Sequence, residues 1–107
     1  MKLVLVCYSG SSASILRDRM LAWARANLLD VEIIVSSLAG LDEDKEDADI
    51  VLVGPQVRCA LASVRERVPE RIPVMAVDTR DYGMAKGDRV MQAALDEIRQ
   101  YKEHKIH

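Results

Sequence analysis

The sequence predicts an α/β protein: a three-layer arrangement in which a four-stranded parallel sheet carries helices on both faces. Four short apolar runs of strand length recur along the chain, and longer segments with apolar residues at helical spacing separate them. Three of the four runs hold no charge in their core, as expected of strands covered on both sides. With 107 residues the chain can bury one core, so residues 1–107 are expected to form a single domain.

The first run spans residues 2–7 (Lys-Leu-Val-Leu-Val-Cys). The crossover after it, residues 11–28, places Leu16, Met20 and Trp23 at i, i+4 and i+7 among Arg17, Arg19 and Arg25, which is one apolar stripe on a solvated helix. The second run is residues 31–36. Residues 37–49 crowd Asp42, Glu43, Asp44, Glu46, Asp47 and Asp49 around only Leu38, Leu41 and Ala48; without the glycine and spacing of a calcium loop this reads as an acidic, solvated crossover. The third run, residues 50–53, ends at Gly54-Pro55-Gln56, a strand-terminating turn or a polar neighbour of the site. A short helix over residues 60–68 stops before Pro69. After the fourth run, residues 74–77, Asp78 suits a turn cap, and Asp88 an N-cap for a last helix whose Val90, Ala94, Ile98 and Tyr101 share a face beside Met91 and Leu95.

Right-handed crossovers and two-sided coverage make 2-1-3-4 the simplest strand order. In that order the chain leaves strands 1 and 3 toward opposite faces, and the crevice opened there is where open α/β sheets bind ligands. Cys7 and Gly54-Pro55-Gln56 end those two strands.

Composition narrows the function. Fifteen Lys and Arg nearly balance 17 Asp and Glu, so no nucleic-acid partner is expected. The longest uncharged stretch, from Leu3 to Leu16, contains Ser and Gly and is too short for a membrane span, while Met1-Lys2 leads straight into a strand. A cytoplasmic protein without signal peptide or direct membrane insertion is the expectation. Cys7 and Cys59 lack zinc or thioredoxin spacing and read as reduced thiols; His104 and His107 lie in a charged tail, and no metal is expected.

The segment Cys7-Tyr8-Ser9-Gly10-Ser11-Ser12-Ala13-Ser14 runs from the end of strand 1 into helix 1. Gly10 and its small neighbours let backbone amides from Ser9 through Gly10, Ser11, Ser12, Ala13 and Ser14 converge as an anion nest at the positive end of the helix dipole. Four serine hydroxyls add donors for phosphate oxygens. The same field favours a thiolate, so Cys7 is expected to have a lowered pKa and to act as nucleophile. A turn with an N-cap and a structural, buried Cys7 is the plain alternative.

Cys7-x-x-Gly10-x-Ser12-x-Ser14 resembles the phosphorylation loop of the enzyme IIB component, lactose/cellobiose (chitobiose) class, of the phosphoenolpyruvate-dependent sugar phosphotransferase system. Ala48-Asp49-Ile50-Val51-Leu52-Val53-Gly54-Pro55-Gln56, and Asp78 with Tyr82-Gly83, are similar to that family's segments after strands 3 and 4. The resemblance implies a phosphocarrier: Cys7 takes a phosphoryl group from phosphohistidine of enzyme IIA and passes it to a sugar on the membrane permease, enzyme IIC, with no cofactor. Ser11, Ala13 and Tyr8 depart from the family's usual Met, Thr or Ser, and smaller residue.

The low-molecular-weight tyrosine phosphatases share the general fold and a cysteine at the end of strand 1, but need C-x5-R. Ala13 stands where the arginine would bind the phosphoryl group, and Arg17 is four residues beyond it. A redox protein using Cys7 and Cys59, with Cys59 expected to pack in helix 3, and a non-catalytic phosphate-binding module are the remaining readings.

Overall fold

The structure, a computed structural model, describes residues 1–7, 10–44 and 46–106, with residues 10–12, 44 and 103–106 described by their backbone alone. Strands β1 (Lys2–Val6), β2 (Glu32–Ser36), β3 (Ile50–Val53) and β4 (Val74–Ala76) form a parallel sheet of order β2-β1-β3-β4. The helices are α1 (Gly10–Ala26), α2 (Leu41–Asp44), α3 (Leu61–Arg67), α4 (Thr79–Gly83) and α5 (Gly87–Ile106), and a 3-10 segment, Pro55–Ala60, precedes α3. The predicted strand order and all four strands are therefore present.

β1 lies between β2 and β3, with Leu5 opposite Val35 on one side and Leu52 on the other. Strand side chains alternate between faces. Leu3 and Leu5 point into a core shared with Leu16, Met20 and Ala24 of α1 and Val90, Met91, Ala94 and Ile98 of α5. Val4 and Val6 point into the opposite core, with Leu41 of α2 and Val64 of α3. Leu3, Val4, Leu5 and Val6 are all inaccessible to solvent, which is why this run is apolar without alternation.

Several boundaries differ from expectation for identifiable reasons. The 60–68 helix is shorter, because the 3-10 segment begins directly after Gly54 with Pro55 in its first turn. The last helix starts at Gly87, leaving Asp88 within its first turn, where a carboxylate meets the positive dipole end. The short helix α4 was not foreseen; the Asp78 side chain caps it, accepting from the amides of Arg80 and Asp81. In the acidic crossover, Leu41 is fully buried, and Asp49 accepts from the Lys2 amide at 2.8 Å while its own amide donates to the Lys2 carbonyl at 2.8 Å. That reciprocal pair aligns the starts of β1 and β3. Tyr101 is half-buried on the predicted face, and its hydroxyl donates to the Glu70 carbonyl.

α1 ends at Ala26 in a Schellman closure: the Leu29 amide donates to the Ala24 carbonyl at 2.8 Å, and Leu28 takes a φ of 57°. A leucine there carries the left-handed strain that glycine avoids, and at 94% exposure it gains no packing in return. α1 and α5 meet at Gly87, where an added Cβ would lie 2.5 Å from the Arg19 carbonyl carbon and 2.6 Å from the Met20 nitrogen. Urea unfolding should show Leu28→Gly more stable than the parent by about 0.5–1 kcal/mol. Gly87→Ala should be less stable by about 1–3 kcal/mol because the two helix backbones must separate; equal midpoints for Gly87→Ala and the parent would contradict this packing.

Candidate active site at the carboxyl edge of the sheet

The hydrogen-bond ladder continues past the last residue of three strands and fixes the edge where the chain leaves them. The Cys7 amide donates to the Ser36 carbonyl at 3.0 Å, the Gly54 amide to the Val6 carbonyl at 2.9 Å, and the Val77 amide to the Val53 carbonyl at 2.8 Å. Cys7 is thus held between the exits of β2 and β3, at the switch point expected for strand order 2-1-3-4. Its side chain is 3% exposed and belongs to the core that contains Leu5, Ala13, Val77 and Tyr82. Residue Cys7 also borders a cavity of about 210 Å³ with Ser37, Leu38, Ala39 and Val57, of which Leu38 and Val57 belong to the opposite core.

Each wall of that cavity has its own support. The Ser37 hydroxyl accepts from the Gly40 amide at 3.0 Å, closing the turn after β2, and the Ser36 hydroxyl donates to the Ser37 carbonyl at 3.1 Å. Arg67 of α3 holds the same turn from outside: it donates to the Leu38 carbonyl at 2.8 Å and pairs with Asp42 at 3.2 Å. On the other wall the Val57 amide donates to the Gly54 carbonyl at 3.1 Å, and Arg58 reaches the Val77 carbonyl at 3.4 Å. The buried Tyr82 ring passes close behind Gly54, where an added Cβ would meet its Cε2 at 3.4 Å.

The structure places the sequence-predicted residues unequally. Cys7 is at the strand end as expected. Of the expected cradle, Ser9 lies outside the described residues, as do Tyr8, His107 and the side chains of Ser11, Ser12 and His104. Gly10, Ser11 and Ser12 form the backbone of the first turn of α1, three residues past Cys7. Ala13 is fully buried against the sheet and Ser14 is half-buried. Asp78 is a cap, and Gln56 is exposed beyond Gly54. Cys59 is a correction: it sits on the 3-10 segment rather than in α3 and is exposed instead of packed, while both thiols are free. Sequence reasoning missed the 37–40 turn and Tyr82 as walls of the site. The serine pair ending β2 was the available signal for the turn; Tyr82 entered only as part of a similar segment.

An open parallel sheet of order 2-1-3-4 with a buried cysteine at its switch point defines the class: an α/β protein with a thiol at the carboxyl edge of its sheet. Comparison then gives the family. The sequence profile of the lactose/cellobiose-specific IIB subunit of the PTS system matches residues 2–93, and the chain belongs to that family. It is 33% identical over 98 residues to the galactose-specific EIIB component of Lactococcus lactis subsp. cremoris, covering 86% of this chain and 91% of the relative. It is 33% identical over 95 residues to the oligo-beta-mannoside-specific EIIB component of Bacillus subtilis, covering 88% and 92%. The solution structure of a cellobiose-specific IIB component from Borrelia burgdorferi superposes with a TM-score of 0.79 at 30% identity over 94% of each chain. A lactose-specific IIB domain from Streptococcus pneumoniae, at 17% identity, shares the fold with a TM-score of 0.75 over 91% of this chain and 96% of that one. IIB components are phosphotransfer domains of the sugar phosphotransferase system, so the class of reaction is phosphoryl transfer. Among the described residues no helix is long and apolar enough to cross a membrane.

Burial pushes the Cys7 thiol above its ordinary value of 9.0, because the apolar surroundings disfavour the charged sulfur. This is opposite to the lowered value expected from the helix terminus alone, and desolvation is its cause. A raised folded-state pKa means that the stability contributed by the neutral thiol is fully present below 9.0 and is lost as pH rises through the folded value. In a Cys59→Ser background, iodoacetamide should alkylate native Cys7 with a midpoint above 9.0, and urea should bring that midpoint down. A native midpoint below neutrality would show the helix field to dominate.

Proposed function

We propose that Cys7 is the phosphoryl carrier of this IIB component, accepting the group from phosphohistidine of a cognate enzyme IIA and donating it to a sugar bound at the enzyme IIC permease. The observation that carries the reading is the position of the thiol: one residue past the central strand, at the carboxyl edge of the sheet, three residues before a 17-residue helix, in a chain of this family. The first turn of that helix, with Ser9, is the proposed anion nest. A cytoplasmic location follows from partners that meet the permease from inside the cell.

The chemistry balances without a metal or organic cofactor. Sulfur attacks phosphorus as the phosphorus–nitrogen bond of the donor breaks, and the thiol proton goes to the imidazole nitrogen released. In the second transfer a sugar hydroxyl oxygen attacks phosphorus, the sulfur–phosphorus bond breaks, and the hydroxyl proton returns to sulfur. A thiol kept neutral by burial suits this exchange, since the donor's own leaving nitrogen takes the proton. The protein supplies position and the positive helix end toward the anionic group.

Alanine at position 13, in place of arginine, weighs against the phosphatase alternative. The position six residues after the cysteine holds a fully buried alanine, which has no guanidinium to offer a phosphoryl group. A carrier gains from that arrangement, because hydrolysis would waste the group.

Incubation with enzyme IIA phosphorylated from phosphoenolpyruvate, followed by intact-mass spectrometry, should add one phosphoryl group to the wild type and none to Cys7→Ala. An adduct that survives in Cys7→Ala would place the acceptor elsewhere.

A further inference from the structure

We propose that Arg58 is the cation that binds the phosphoryl group of this chain, its guanidinium donating to the non-bridging oxygens of the group on Cys7; the assignment rests on the carrier reading above. A phosphoryl group carries up to two negative charges, and the segment from Cys7 to Ser14 has neither Lys nor Arg. Phosphate sites commonly add an arginine, because its planar fork donates two parallel hydrogen bonds.

The cations at the carboxyl edge differ in their commitments. Arg67 is paired with Asp42 at 3.2 Å and holds the Leu38 carbonyl. Arg89 lies 3.8 Å from Asp81, and Arg17 lies 3.6 Å from Asp18. Arg58 has no carboxylate partner among the described residues; its contact is the neutral Val77 carbonyl at 3.4 Å, a long and weak hydrogen bond. Arg80, on the first turn of α4, is exposed beside Asp78, whose carboxylate is already accepting two amides.

Placement separates Arg58 from Arg80. Arg58 directly follows Val57, which lines the cavity shared with Cys7, on the 3-10 segment that leaves β3 at the switch point. The Val77 carbonyl that parks its guanidinium lies two strands from β1, roughly 10 Å along the sheet edge from Cys7. The side chain is exposed and has rotatable bonds free to turn toward the nucleophile, and releasing one 3.4 Å bond to a carbonyl costs little against a charge-assisted bond to a phosphoryl oxygen. The empty thiol state leaves it over β4; the charged state draws it inward. Asp78 and Asp81 face the same edge from α4, and Asp42 faces it from α2, but the first is a cap and the other two are ion-paired.

The test is a phosphorus NMR titration of the phosphorylated full chain, prepared with phosphorylated enzyme IIA. A cation against the group favours the dianion, so the second ionisation of phosphocysteine should occur at lower pH in the wild type than in Arg58→Ala, with about a tenfold difference in the monoanion-to-dianion ratio. Arg58→Lys should fall between them, and Arg80→Ala should shift the titration less than Arg58→Ala. Identical titrations for wild type and Arg58→Ala, or a larger shift in Arg80→Ala, would overturn the assignment. Failure of the carrier reading is distinct: the wild type would then show no phosphocysteine resonance at all.

Discussion

The central strand governs this molecule. Leu3, Val4, Leu5 and Val6 are sealed between two helical layers, and burial of such side chains contributes about 1.5–3 kcal/mol each, so β1 has no freedom to shift. Cys7 is the next residue in that register, and its amide is locked to Ser36. A side chain attached to so deeply buried a strand inherits its rigidity, which is the positional control that the proposed carrier role calls for.

The same attachment explains the chemistry of the sulfur. It continues the Leu3 and Leu5 side of β1, so it meets Ala13, Val77 and Tyr82 before it meets water. With Cys7 3% exposed, desolvation raises its pKa in place of the lowering expected from a helix terminus. A thiol kept neutral by burial is less exposed to oxidation and alkylation than a free thiolate.

The walls of the cavity beside Cys7 are maintained by modest interactions whose use is geometric. The Arg67–Asp42 pair joins a partly buried arginine to an exposed carboxylate, and pairs open to solvent on one side contribute about 0–1 kcal/mol. Together with the bond from Arg67 to the Leu38 carbonyl, however, it ties α3 to the turn after β2 and keeps that turn beside Cys7. The Asp78 cap does the equivalent for α4, which carries Tyr82 back behind Gly54.

Much of this was legible in the residues. Charge-free runs such as Ile50–Val53 read as two-sided strands because no polar side chain interrupts them, and Leu16 and Met20 announce the buried stripe of α1 by their spacing. The cysteine ahead of a glycine and serine cluster was legible as a candidate site, and the structure puts Cys7 at the predicted strand end. Tertiary structure alone decided what surrounds it. Local pattern does not reveal that Ser37, Leu38 and Val57, distant in sequence, share a cavity with Cys7, nor that Cys59 faces outward on a 3-10 turn. The direction of the Cys7 pKa was hidden for the same reason: a helix terminus is visible in the sequence, but desolvation is produced by side chains that only folding brings together.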